Sequence, residues 1–241
     1  MIVATWNLNN RVGKVRFRPE AASAACAIGA DLIVFTEFYP QAHERPFRAA
    51  LSASGFPHQL MSKESPEVAN RVLIVSRMPI ELLPLQLPDS DQQFQSNVLG
   101  VTVPGERLSV LGLRVPTYVG ATSRNLLLGA WGWIERTAAS LADAPAIMLG
   151  DFNVTTKARP SQGGAHFRRV LASGWQRAES QCPATYFSFR GFKTEIDYIL
   201  ATQHCRVHEA EVLRETSEFM YAGSKAAISD HAVLRCIINV V

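Results

Sequence analysis

One arrangement constrains this chain more than any other. Short runs rich in Val, Ile and Leu carry an acid, an amide or an imidazole at one end. The run 146–149 leads into Gly150-Asp151-Phe152-Asn153, the run opening at Ile2 passes through Thr5-Trp6-Asn7, and another closes on Thr36-Glu37. Conversely, Glu195-Ile196-Asp197-Tyr198 begins a run and Ser229-Asp230-His231 precedes the last. Apolar runs bounded by Gly, Pro, Asp or Asn read as strands. They cover residues 2–8, 31–37, 72–76, 80–85, 98–103, 108–115, 146–149, 196–201, 206–213 and 232–240. Most are apolar enough for the middle of a sheet, whereas 206–213 alternates and has one wet face.

Helical segments fall between these runs. Pro19 before Glu20-Ala21-Ala22 makes a good first turn for a segment reaching about Gly29. Residues 45–54, 123–141 and 164–173 follow, and in 123–141 the residues Leu127, Ala130, Trp131, Ile134 and Ala138 share one face, a core stripe. Residues 88–96, 157–163 and 214–229 read as irregular. No linker or repeat divides the chain, so residues 1–241 are expected to form a single domain. Many neighbouring strands are joined too closely for a crossover helix, so much of the sheet must be antiparallel. The expected class is α/β, with two packed sheets and helices outside them.

With 47% hydrophobic residues, a sizeable core is available. A net charge of +3 suits a polyanionic partner without approaching the charge density of a DNA-coating protein. Arg11, Lys14, Arg16 and Arg18 form a basic run directly after Asn7, either a solvated face or a phosphate-facing one. The four cysteines form no C-x-x-C pair, which argues against zinc and redox motifs. Cys26 and Cys236 lie in apolar surroundings, as buried thiols of a reducing compartment do. Neither a signal peptide nor an apolar stretch near the ~20 residues of a membrane span is visible. A cytoplasmic monomer without a membrane partner is the expectation.

Asn7, Glu37 and Asp151 end strands, while Asp197, Asp230 and His231 lie at or just before strand starts. In sheets with antiparallel neighbours both sets can meet on one rim. Taken singly each has an ordinary explanation: a turn for Asp151 and Asp230, an ion pair with Lys193 for Asp197, a loop-edge acid for Glu37. Recurring together, they fit phosphate chemistry. A phosphodiester repels anionic nucleophiles, and a hard divalent cation on carboxylates offsets that charge. Glu37, with Asn7 and Asp230, is the candidate metal set. Asp151 is placed to deprotonate water and Asn153 to hold it. His231 can donate to the phosphate if Asp197 fixes its tautomer.

Thr5-Trp6-Asn7, Thr36-Glu37, residues 72–80 (VLIVSRMPI), Gly150-Asp151-Phe152-Asn153, residues 195–200 and Ser229-Asp230-His231 together resemble the endonuclease/exonuclease/phosphatase superfamily, which includes exonuclease III-type repair enzymes. The resemblance spans essentially the whole chain. It implies a deoxyribonuclease I-like four-layered α/β sandwich and Mg²⁺- or Mn²⁺-dependent phosphoester hydrolysis, with the residue roles just given. There are departures: Asn9 stands where repair nucleases carry Asp, and Arg114 where the family places Tyr or His against the phosphate. Arg114 is then a candidate phosphate clamp. Glu195 replaces a basic residue, and Gly174-Trp175-Gln176-Arg177 lacks an expected acid. A housekeeping abasic-site endonuclease is therefore not the first assignment. Residues 186–193 interleave aromatics with Arg190 and Lys193, suiting a stacked base beside positive charge, or equally a packed hairpin. Arg190, Lys193 and Asn9 form the substrate-facing set, and residues 219–225 a second candidate substrate loop. The reading is a metal-dependent phosphodiesterase acting on nucleic acid or a nucleotide-like diester. A phosphomonoesterase or lipid or sugar phosphatase, and a catalytically silent binding module, are the alternatives.

Overall fold

The computed structural model describes residues 1–10, 17–40, 43–64, 70–87, 92–117 and 120–241. Arg11, Lys14 and Arg16 of the basic run lie outside the described residues. Fourteen strands and five α-helices are present among the described residues. The first sheet contains β1 (Ile2–Asn7), β2 (Leu32–Phe38), β3 (His58–Met61), β4 (Arg71–Ser76), β13 (Cys205–Leu213) and β14 (Val233–Val240), in the order β13-β14-β1-β2-β4-β3. The second contains β5 (Glu81–Leu82), β6 (Val98–Val103), β7 (Leu108–Arg114), β8 (Ala146–Asp151), β9 (Gln176–Arg177) and β12 (Asp197–Ala201), in the order β5-β6-β7-β8-β12-β9. The short strands β10 (Tyr186–Phe187) and β11 (Lys193–Thr194) form a separate ribbon. Two pairs, β1–β2 and β7–β8, are parallel and the others antiparallel, so both sheets are mixed as expected.

The period-2 alternation of each strand distributes its side chains between two layers. Val3, Leu32, Val34, Val72 and Ile74 face the second sheet, where they meet Val110, Ile147, Leu149 and Ile199. The opposite face of the first sheet, with Ala4, Trp6, Ile33 and Phe35, packs under α1 (Ala21–Ala27) and α2 (Glu44–Ala53). The outer face of the second, with Leu111, Leu113, Met148, Tyr198 and Leu200, packs under α4 (Gly120–Leu141) and α5 (Gly164–Ala172). A short α3 (Gln92–Ser96) precedes β6. This is the four-layered α/β sandwich.

The same alternation positions the polar groups. On β1, Asn7 continues the inner row of Val3; on β8, Asp151 continues that of Ile147 and Leu149; on β12, Asp197 starts that of Ile199. All three side chains therefore end up between the sheets, at one end of the apolar sandwich. Glu37 does not follow this rule: its parity matches Ile33 and Phe35 on the helix face. A bulge between Phe35 and Phe38 inserts one residue into β2, and Glu37 takes the left-handed conformation at φ 50°. Bulges beside active sites re-aim a side chain, here onto the inner rim.

Some elements differ from expectation. Within residues 88–96, expected to be irregular, Gln92–Ser96 form the helix α3. Of residues 80–85 only Glu81 and Leu82 pair as strand, and the last ladder bond runs from Leu83 N–H to Gly100 O at 3.0 Å. The half-buried edge strand β3 was not anticipated. No helix among the described residues is long and apolar enough to cross a membrane.

Candidate active site

Asp151 sits at the floor of a cleft of about 350 Å³ whose walls include Glu37, Arg114, Asn153, Tyr186, Asp230 and His231. Its carboxylate is almost fully buried and accepts three N–H donors. Asn7 Nδ2 reaches Oδ2 at 2.9 Å, Asn153 Nδ2 reaches the same oxygen at 3.0 Å, and the Asn153 backbone N–H reaches Oδ1 at 3.0 Å. Asn153 takes the left-handed conformation, φ 48°, and gives a further Nδ2 bond to Val115 O at 2.8 Å. Gly150 is required before Asp151: at its φ of 148°, a Cβ would lie 1.9 Å from Leu113 O on the neighbouring strand. Any other residue would push β7 and β8 apart at the base of the site.

Beside Asp151 on the next strand, Asp197 is its direct antiparallel partner. Its Oδ2 lies 2.8 Å from His231 Nδ1, with both residues buried. The expected Asp197–His231 contact is thus present, and Lys193 forms no ion pair with Asp197 among the described residues. The loop 229–231 is fastened to β1 in two places: Ser229 Oγ donates to Asn7 O at 2.7 Å, and Trp6 Nε1 donates to His231 O at 3.1 Å. The Thr5-Trp6-Asn7 and Ser229-Asp230-His231 signals are therefore the two sides of one staple. Asp197 is held from the other direction by Thr185 Oγ1, which accepts its backbone N–H at 3.0 Å.

These contacts set the protonation states. Burial raises Asp151 to about 7, the Asp197 charge pushes the same way, and His231 and Arg114 oppose it. The three amide donors also favour the ionised form and limit the rise. Burial disfavours the His231 imidazolium, but the Asp197 charge and hydrogen bond, with Asp151 and Asp230, outweigh it and raise His231 to about 10. The resulting arrangement has an acceptor near neutrality facing a fixed imidazolium.

Arg114 closes the rim. It is the last residue of β7 and the register partner of Asp151. Its Nε and Nη2 both lie 2.9 Å from Glu37 Oε1, and Nε is 4.0 Å from Asp151 Oδ2. Glu37 Oε2 accepts from Asn10 Nδ2 at 3.3 Å. Asn9 gives its N–H to Asn7 Oδ1 at 2.8 Å and its Nδ2 to Asp230 Oδ1 at 2.7 Å. A carboxylate at position 9 would face Asp230 at hydrogen-bond distance, so the amide removes a like-charge contact.

All the expected catalytic and metal residues converge on or beneath this one cleft, Asn7 and Asp197 lying under its floor. Of the expected substrate residues, Asn9 lines the cleft, whereas Arg190 and Lys193 sit exposed on the β10–β11 hairpin outside it. Arg190 stacks over Phe189 at 5.4 Å. Sequence reasoning missed Asn10, Thr185 and the edge contact of Tyr186 on the His231 ring at 5.1 Å. The Asn9-Asn10 pair following a strand is a turn signal that pointed to the first.

Two mixed sheets sandwiched between helices, with a carboxylate–amide–imidazole cluster at one end of the sheet interface, are the architecture of the deoxyribonuclease I-like fold. A profile of the Endonuclease/Exonuclease/phosphatase family matches residues 4–231, and the chain belongs to that family. Family members are nucleases and phosphatases. No curated protein sequence matches the chain. Among solved structures, an AP endonuclease from Archaeoglobus fulgidus superposes with TM-score 0.77 at 16% identity, covering 100% of both chains. The 3' phosphatase NExo from Neisseria, bound to a product DNA hairpin, gives 0.74 at 21%, covering 99% of both. An endonuclease/exonuclease/phosphatase from Beutenbergia cavernae gives 0.73 at 18%, covering 100% of this chain and 71% of the other. At these identities the likeness is one of fold.

The family implies a divalent cation, and the donor chemistry here fits one. Glu37 and Asp230 supply carboxylates, Asn7 a carbonyl oxygen, and Asn10 Oδ1 is a buried acceptor with no donor among the described residues, on the amide that touches Glu37. These are hard oxygen ligands of the kind Mg²⁺ and Mn²⁺ take. A second trio, Asp151, Asp197 and His231, has ligating atoms within 4.8 Å of one another. Within it His231 Nδ1 and Asp197 Oδ2 lie 2.8 Å apart, the contact of a proton relay.

Proposed function

We propose that this chain hydrolyses a phosphodiester of a nucleic acid, with Asp151 taking the proton of the attacking water. The observation that carries the reading is the setting of Asp151: a buried carboxylate raised to about 7, fixed by Asn7 and Asn153, and within 4.8 Å of the Asp197–His231 pair. A bound Mg²⁺ or Mn²⁺ supplies neutralisation of the phosphoryl charge and of the leaving oxygen, with Glu37, Asp230 and Asn7 as its holders.

The remaining steps belong to the chain itself. Asn153 uses its amide N–H groups on Asp151 and Val115, so it orients the base. His231 keeps Nδ1 on Asp197, which leaves Nε2 to donate to a phosphoryl oxygen as negative charge builds. Arg114 at the rim offers a planar cation to the same phosphoryl group. Two grooves support a diester over a monoester, because both continue from the cleft. One shares Thr117, Asn153 and Ile196 with it and carries Lys157 and Arg159. The other shares Asn9, Tyr186 and Asp230 and carries Phe189 and Lys225. Chain on either side of the scissile phosphate has room and countercharge. A nucleic acid also accords with the DNA hairpin bound by one structural neighbour, the 3' phosphatase NExo from Neisseria.

The test is turnover with Mg²⁺ or Mn²⁺ on labelled single-stranded DNA, RNA, abasic duplex and a chromogenic phosphomonoester. Preference for a diester is expected. Exclusive monoester hydrolysis would replace the reading with a phosphatase. No turnover by a folded protein that binds neither cation would leave a silent binding module.

A further inference from the structure

The guanidinium of Arg114 lies on the carboxylate that the proposed cation needs. Two of its nitrogens, Nε and Nη2, converge on the single oxygen Glu37 Oε1 at 2.9 Å. A side-on Arg–carboxylate pair places one N–H on each oxygen, the stronger, forked geometry. Here the second oxygen of Glu37 is taken up by Asn10 instead, so the two Arg114 bonds share one acceptor. A phosphoryl group, with several acceptor oxygens, offers the fork that Glu37 does not.

The two partners differ in their freedom to move. Glu37 stands in the left-handed region on a β-bulge, φ 50°, in a strand bonded on both sides, so its backbone is fixed. Arg114 is fixed only at its backbone, where its N–H donates to Asn97 O at 2.8 Å, and beyond that it has a long, flexible stem. Both side chains line the cleft that holds Asp151. Arg114 presents a cation to a phosphate in that cleft.

On these grounds, and resting on the proposed hydrolysis at this site, we propose that Arg114 couples anion and cation binding: it occupies Glu37 while no phosphate is present, and transfers to the substrate phosphate when one enters, releasing Glu37 Oε1 to the divalent ion. Without phosphate, the ion must displace a guanidinium and then sit beside it, two like charges on one carboxylate. With phosphate bound, its negative charge would offset the repulsion between the two cations. Linkage requires the effect to be reciprocal, so the ion must tighten phosphate to the same degree. The device would keep the ion bound chiefly in the substrate complex.

Calorimetric titration of the full chain with Mg²⁺ alone, and with Mg²⁺ in the presence of inorganic phosphate, tests this without reference to turnover. Wild type is expected to bind Mg²⁺ at least tenfold more tightly with phosphate. Arg114→Gln is expected to bind Mg²⁺ at least tenfold more tightly than wild type when phosphate is absent, and to gain little from phosphate. Arg114→Lys, a cation without the planar fork, should fall between. Equal wild-type affinities with and without phosphate would overturn the coupling even if the variants failed to fold. So would Arg114→Gln affinity no tighter than wild type. Should nucleic acid still be cleaved in either case, the coupling alone fails; loss of all hydrolysis alongside intact coupling would instead remove the proposed function.

Discussion

Asn7 and Asp151 stand 144 positions apart in sequence and are joined by a 2.9 Å bond from amide to carboxylate. Asn7 ends a strand of the first sheet and Asp151 a strand of the second, so the bond spans the sheet interface at the point where its apolar filling stops. Asn7→Ala removes a donor from a buried carboxylate, a loss of about 1.5–3 kcal/mol for a hydrogen bond to a charged group. Expressed in the transition state, that is roughly a ten- to hundredfold fall in kcat. Steady-state kinetics of the variant on a labelled diester, with a thermal melt for its fold, would check this; an unchanged kcat would mean the bond does not position Asp151.

A pH dependence follows from Asp151. A base must be ionised to accept a proton, and burial with the Asp197 charge raises this group to about 7. Activity should therefore climb as pH rises through neutrality, where an ordinary carboxylate would already be fully active. A kcat/KM profile whose acid limb lay in the usual carboxylate range, near the unperturbed ~3.9 of Asp, would count against Asp151 as the base.

The alkaline side belongs to His231. It can donate from Nε2 only as the imidazolium, because in the neutral form the single proton stays on Nδ1 facing Asp197. Asp197 is the largest of the influences that raise His231 against the cost of burial, which together bring it to about 10. In Asp197→Asn the burial cost is left less opposed and His231 must fall. The alkaline limb should then move from about 10 toward neutrality. Histidine NMR titration of the two proteins reads this directly, and an unmoved limb would separate His231 from the chemistry.

The hairpin between β10 and β11 presents Phe189 with 83% of its surface exposed, under the Arg190 guanidinium. If a base of a single-stranded substrate stacks there, Phe189→Ala should raise KM by an amount corresponding to about 1–3 kcal/mol, leave kcat near wild type, and leave the melting temperature unchanged. Equal KM values in wild type and variant would return the hairpin to a purely structural role.

Much of this was legible in the sequence, for a physical reason. Runs such as 146–149 are apolar on both faces because each sheet is covered on both sides, and the polar residue at the end marks where the covering stops. Asn7, Asp151, Asp197 and His231 could be found that way. Glu37 could be found as a strand end, but not its orientation, since neither Gly nor Asn announces the left-handed bulge that turns it inward. Its pairing with Arg114 joins residues 77 apart and is set by how the two sheets stack, which no local pattern encodes. The edge strand β3 carries His58 and Gln59 and is only half buried, so it lacks the apolar run by which its neighbours are recognised.

The central claim is that Asp151 activates the water that cleaves the phosphodiester. Its most direct test compares wild type with Asp151→Asn on end-labelled single-stranded DNA in saturating Mg²⁺, with Mg²⁺ binding measured on the same samples. The account predicts a rate loss of about 10²–10⁴, the contribution of a general base, with cation affinity nearly unchanged. Cleavage at the wild-type rate by Asp151→Asn would contradict it, as would a loss of Mg²⁺ binding that moves Asp151 from the water to the metal.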